Sequence, residues 1–148
     1  AANHCVISFD WRALNRVRAG RPDIEHAYTT LLFSSTDPAH DSAEQDNPAI
    51  AAIRAASASG APWFDGFDWR DMAGETHGEK ILAAIDAANG AGWFAYWRDI
   101  DSDRMAQAKA LGLCVSAWTV NEAADMTHLK HLGVEALITD RPDILKKL

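Results

Sequence analysis

Short apolar runs alternate along this chain with stretches whose apolar residues recur at helical spacing. The last third shows the pattern most plainly. Residues 114–120, Cys114-Val115-Ser116-Ala117-Trp118-Thr119-Val120, read as a buried strand running into Asn121. Residues 136–139, Ala136-Leu137-Ile138-Thr139, read as a second strand running into Asp140-Arg141-Pro142-Asp143. An amphipathic helix closed by Gly133 lies between them. Connections this short make the two strands parallel neighbours.

The same alternation extends back to the start. Residues 5–9 predict a short buried strand, Asp10 an N-cap, and Leu14 and Val17 one face of a helix ending near Gly20. Residues 27–32 predict the second strand. A long loop and helix excursion follows at 33–79, in which Asp37-Pro38 opens a polar stretch and Asn47-Pro48 begins an alanine-rich helix that stops at Ser59-Gly60. Trp63, Phe64, Phe67 and Trp69 crowd the segment after it. A helix carrying Ile81, Leu82 and Ile85 ends at Asn89-Gly90, and residues 92–97 are strand-like. Asp101 then caps a helix bearing Met105, Ala108 and Leu111, stopped by Gly112. Strand-to-helix alternation of this kind predicts an α/β fold with a parallel sheet, as a wound sheet or a barrel. The first strand is followed by neither a Gly-rich phosphate loop nor a dinucleotide fingerprint, which favours the barrel.

Composition narrows the partners. The chain has 148 residues, enough for one domain with a sizeable core, and its 48% hydrophobic share is that of a globular protein. Net charge is −7, without a Lys/Arg cluster, which argues against nucleic acid or an anionic membrane as partner. No apolar run approaches the ~20 residues of a membrane span. The opening residues carry no signal-peptide pattern. Cys5 and Cys114 fall in predicted buried strands, far from any residue at metal-ligand spacing, and are expected to be unbridged core thiols. That suits a reducing, cytoplasmic compartment, with a periplasmic one left open.

Trp118-Thr119-Val120-Asn121, a helix, and then the run Leu132-Gly133-Val134-Glu135-Ala136-Leu137-Ile138-Thr139-Asp140-Arg141-Pro142-Asp143 resemble the C-terminal signature of the glycerophosphodiester phosphodiesterases. Val6-Ile7-Ser8-Phe9-Asp10-Trp11, with Leu14 and Val17, is similar to that family's fourth strand and following helix. Ala27-Tyr28-Thr29-Thr30 resembles its fifth strand, and the stretch from Trp93 to Asp99 the sixth-strand region of one bacterial branch. The resemblance implies a partial (β/α)8 TIM barrel: residues 1–148 as strands 4–8 with their helices, strands 1–3 missing. It also implies a metal-dependent hydrolase of lipid metabolism that converts glycerophosphodiesters to glycerol 3-phosphate and an alcohol. A divalent cation, calcium or magnesium, comes with that activity. The family's His-Arg-Gly, Glu-x-Asp and Glu-x-Lys segments have no counterparts here, so neither catalytic residues nor metal ligands are assigned. Alone, the chain is expected to be inactive, and to self-associate or to need the missing N-terminal segment. The alternative is a non-catalytic half-barrel that assembles with or regulates a partner.

Phosphodiester cleavage needs charge stabilisation on the phosphate oxygens and a proton for the leaving alkoxide. The six histidines are poorly set for either role. His4 and His26 precede predicted strands, and His40 and His77 fall in polar loops. Asp125, His128 and His131 share a helix face, for which a solvated surface is the ordinary explanation. The resemblance points to three residues as substrate-binding candidates, with core packing as the alternative for Trp118 and Phe9. Trp118, late in its strand, can wall a pocket while its N–H finds a polar partner. Phe9 ends the first strand at a corresponding place. Ser8 either points into the barrel or donates a hydrogen bond at its rim. Asn121 and Asp140 are expected to be N-caps. Arg141 is a rim cation suited to a salt bridge or a phosphate contact. The aromatic stretch from Trp63 to Trp69 is expected either to cover the barrel mouth or to anchor the excursion.

Overall fold

The computed structural model describes residues 5–31 and 48–148. Strand β1 (Cys5–Ser8) leads into α1 (Trp11–Gly20), then β2 (Glu25–Thr30). The excursion contributes α2 (Pro48–Ser59), the single turn α3 (Ala61–Phe64) and a 3₁₀ turn (Trp69–Asp71) before α4 (His77–Ala87). Next come β3 (Gly92–Tyr96), a 3₁₀ turn (Trp97–Asp99), α5 (Ser102–Ala110) and β4 (Cys114–Trp118). The chain ends with α6 (Ala123–Leu132), β5 (Ala136–Leu137) and α7 (Pro142–Leu145). The five strands pair in chain order, β1-β2-β3-β4-β5, and every pairing is parallel. Among the described residues, β1 and β5 each have a neighbour on one side only.

Local chemistry places the helix ends. The Asp10 carboxylate accepts from the Arg12 N–H at 3.1 Å and starts α1. Thr76 and Glu79 form a reciprocal capping box at the start of α4. Asp101 accepts from the Arg104 N–H at 2.8 Å and starts α5. Gly133, at φ 90°, closes α6 in the left-handed conformation that a Cβ would oppose.

The core lies on one side of the sheet. Tyr28, Trp93, Ala95, Val115 and Ala117 turn toward the helices and meet Leu14, Ile81, Leu82, Ile85, Met126 and Leu129. The alternate residues, among them Ile7, Thr29, Phe94, Trp118 and Ile138, face the other way. Ile7 and Ile138 are 49% and 47% exposed, so this second face is open at its edges.

Several expectations are corrected here. The strands end one or two residues earlier than the apolar runs suggest, at Ser8, Thr30, Tyr96, Trp118 and Leu137. Cys5 and Cys114, expected in the core, are exposed and unbridged, because both begin strands on the open face. His26 lies inside β2, buried against the helix side, where burial and the nearby Arg18 lower its pKa. His77 is not in a loop but opens α4. Asn121 and Asp140 do not cap helices: Glu122 and Arg141 occupy the N-cap positions, without side-chain capping bonds.

The aromatic stretch anchors the excursion on the helix side. Phe64 is buried with its ring 4.4 Å from that of Trp11, and Trp63, Phe67 and Trp69 pack against the same core. The Trp69 indole donates to the Ser57 carbonyl at 2.9 Å. His4, His40, Leu32 and the polar stretch opened by Asp37-Pro38 lie outside the described residues.

Candidate functional site at the strand C-termini

The pairing of β3 with β4 sets Tyr96 beside Trp118 at the C-terminal ends of the two strands. Their rings are 5.3 Å apart and tilted by 56°. Phe9, in the turn after β1, meets the same indole edge-on at 5.4 Å and 90°. Trp118 is fixed by its N–H, which donates to the Phe94 carbonyl at 3.1 Å. This bond holds the indole across the strand ends and leaves its face for apolar contact. Phe9 and Trp118 therefore share one mouth, as a barrel requires of residues from different strands.

Beneath them is a hollow of about 440 Å³ lined by Ile7, Ser8, Phe9, Thr29, Phe94, Trp118, Thr119 and Ile138. All three sequence-predicted residues are at this hollow. Ser8 lines the hollow, and its Oγ accepts from the Asp10 N–H at 3.0 Å, bending the chain from β1 into α1. Phe94 and Tyr96 escaped sequence reasoning. The signal was their period-two spacing, which places both on the face that Trp118 shares.

The rim is knitted by polar groups. Asn121 Oδ1 accepts from the Asp140 N–H at 2.9 Å and from the Thr139 hydroxyl at 3.2 Å, while its amide donates to the Asp140 carboxylate at 3.2 Å. These bonds join the loop after β4 to the loop after β5. Arg141 is tied to Asp143 in a two-pronged ion pair with both bonds at 3.0 Å, which settles it as a salt bridge. After β3, the Arg98 guanidinium donates to the Tyr96 hydroxyl at 3.1 Å and lies 4.6 Å over the Trp97 ring.

A second hollow, about 480 Å³, opens between α4 and α5 and is lined by Glu79, Asp101, Arg104 and Gln107. Its polar groups serve the two helix starts: Glu79 completes a capping box, and Asp101 caps α5 and pairs with Arg104. The strand ends do not reach it. Among the described residues, no three His, Cys, Asp or Glu side chains gather to hold a metal ion. On α6 the His131 ring nitrogen instead lies 2.8 Å from the Thr127 carbonyl. No helix of the described residues is long and apolar enough to cross a membrane.

Fold and site thus define a parallel α/β sheet of barrel type with an aromatic mouth at the strand C-termini. The glycerophosphoryl diester phosphodiesterase family model matches residues 1–144, and the chain belongs to that family. Two solved structures are similar to it. One is a Silicibacter pomeroyi DSS-3 protein provisionally described as a glycerophosphoryl diester phosphodiesterase, with TM-score 0.64 and 23% identity over 97% of this chain. The other is an Oleispira antarctica phosphodiesterase in complex with the product sn-glycerol-3-phosphate, with TM-score 0.59 and 17% identity over 97% of this chain. The chain spans 36% and 40% of those two proteins, so it corresponds to part of their barrel. No curated protein matches the chain.

Proposed function

We propose that this chain forms the pocket-bearing C-terminal portion, strands 4–8, of a glycerophosphodiester phosphodiesterase barrel. In this reading it walls the site, and segments outside it supply the acid, the base and the divalent cation, calcium or magnesium. The observation that carries the reading is the shared mouth of Phe9, Tyr96 and Trp118 over the hollow. An apolar wall beside a reacting phosphodiester suits the glycerol or alcohol portion of a glycerophosphodiester. The described residues do not fit a metal site, so no step is assigned to the cation here. Two unbridged thiols at the open face favour a reducing, cytoplasmic compartment.

Release of glycerol 3-phosphate from glycerophosphocholine, with added calcium or magnesium, tests this division of labour. The 148-residue chain should release none. A longer protein carrying the His-Arg-Gly and Glu-x-Asp segments should be active, and Trp118→Ala in it should raise KM by roughly tenfold. Turnover by the shorter chain alone, or an unchanged KM in the variant, overturns the reading. A second reading, a non-catalytic half-barrel that assembles with or regulates a partner, is supported by the edges of β1 and β5, each with a neighbour on one side only among the described residues. Failure of the longer protein to turn over substrate would decide for it.

A further inference from the structure

We propose that the Thr29 hydroxyl selects what enters the hollow: it bonds a hydroxyl of an uncharged alcohol, so that a polyol is taken in preference to a quaternary ammonium group. The proposal deepens the phosphodiesterase reading, which supplies only the identity of the alcohol, glycerol; the site itself rests on geometry. Thr29 pairs with Phe94 across β2 and β3 and lines the hollow on the open side of the sheet. It is only 6% exposed. Among the described residues its hydroxyl has no hydrogen-bond partner. The oxygen is not enclosed either, so the little surface Thr29 keeps opens onto the hollow. The polar groups around it are already committed. Thr30, one residue on, accepts from the Trp93 indole N–H at 2.7 Å. Ser8 accepts from the Asp10 N–H, and the Trp118 N–H donates to the Phe94 carbonyl. Thr119 also lines the hollow but is half-buried, within reach of water.

Valine has the shape and the strand preference of threonine, and an apolar wall would be complete with it. What Thr29 adds is one donor and two acceptor sites. A buried hydroxyl is costly without a partner, and the partner here has to come from whatever fills the hollow. An alcohol meets both demands, since its hydroxyl pairs with Thr29 while its carbons lie against Ile7, Phe94 and Trp118. None of the residues lining the hollow is charged. A phosphate moved into it would shed water and find no counter-charge, so the anion stays outside, toward the rim. The Phe9 and Trp118 rings can attract a quaternary ammonium through their faces. Such a group carries neither O–H nor N–H; it would leave Thr29 unpaired and shut it off from water. The hollow is therefore assigned to glycerol or another neutral polyol, with Thr29 as the residue that tells it from an alkylammonium.

Titrations of glycerol and tetramethylammonium into the 148-residue chain, followed at the Trp118 indole N–H resonance, test the assignment. Glycerol should bind more tightly than tetramethylammonium. Thr29→Val should weaken glycerol by roughly tenfold and leave tetramethylammonium no weaker, whereas Thr29→Ser should keep glycerol binding within about twofold. The unliganded indole spectrum shows whether each variant folds, and Thr29→Ala carries the test if Thr29→Val does not. Unchanged glycerol affinity without the hydroxyl, or tetramethylammonium binding more tightly than glycerol to the native chain, overturns the proposal and leaves the phosphodiesterase reading standing. Equal weakening of both probes, with no rescue by serine, reduces Thr29 to a strand support and overturns it as well. A Trp118 signal that neither probe moves sinks the proposal together with the wall role of Trp118. Release of glycerol 3-phosphate by the longer protein then decides the phosphodiesterase reading on its own.

Discussion

At the first turn of α4 the His77 ring lies against the indole of Trp69, with 4.1 Å between centroids. Burial there, with the Arg104 charge as the lesser cause, pushes its pKa from 6.5 down to about 4. The folded chain therefore resists a proton that the unfolded chain accepts. Stability is fully present above pH 6.5 and falls as the pH drops toward about 4. The ring keeps some solvent contact, so the loss is of the order of 2 kcal/mol, less than the full shift implies. His26 adds to it in the same direction, through burial and then Arg18. Thermal unfolding at about pH 7 and about pH 5 should show a larger drop in Tm for the native chain than for His77→Gln. Equal drops would remove His77 from the account. The exposed Arg21–Asp23 pair behaves differently: its carboxylate is held down to about 2 by the guanidinium, yet both groups stay in water. Such a pair contributes little to stability.

Between elements, the tie joining the loops after β4 and β5 depends on one side chain. Asn121→Ala removes two bonds accepted by its oxygen and one donated by its amide. These groups are partly in water, so the cost should be about 1–2 kcal/mol, read as a fall in Tm of roughly 2–8 °C. Asn121→Asp should cost more, because it sets a second carboxylate against Asp140. A Tm unchanged in both variants would mean that the loops are held by backbone alone. The same residues show where the sequence misleads. Asn121 and Asp140 carry the side chains of N-caps, but each spends its polar atoms on the other, and helix-capping statistics describe one loop at a time. Strand ends failed for a related reason: Phe9, Trp97 and Val120 are apolar because they line a mouth or a helix junction, and an apolar run cannot separate that from pairing. The five strand-helix units were legible throughout, since Leu14, Ile81, Leu82, Met105 and Leu129 keep helical spacing and Asp10, Asp101 and Gly133 mark helix ends.

For the whole molecule, the decisive asymmetry is between the two faces of the sheet. Trp93 and Val115 are closed off by helices, whereas Ile7 and Ile138 are about half exposed on the other face, at the strands that flank the sheet. Cys5 and Cys114 were misjudged on this account, since a strand in a closed barrel buries both faces and a strand in this five-stranded sheet buries one. The edges of β1 and β5 present backbone donors and acceptors beside that apolar surface, a combination that recruits further strands. We propose that the 148-residue chain satisfies them with a second copy when no other barrel segment is available. Burial of two isoleucines per copy favours association through the hydrophobic effect, and an edge pairing adds backbone bonds without new side chains. Light scattering on a size-exclusion column, run over a range of concentrations, should show mass rising with concentration. Ile7→Lys with Ile138→Lys should shift the chain toward monomer, because a charge must then be buried or the contact given up. The lysines point away from the helix-side core, so the Tm extrapolated to low concentration should change little. A chain that stays monomeric across the range would show that these edges are protected by their own twist and shortness, and that the open face is stable in water as it stands.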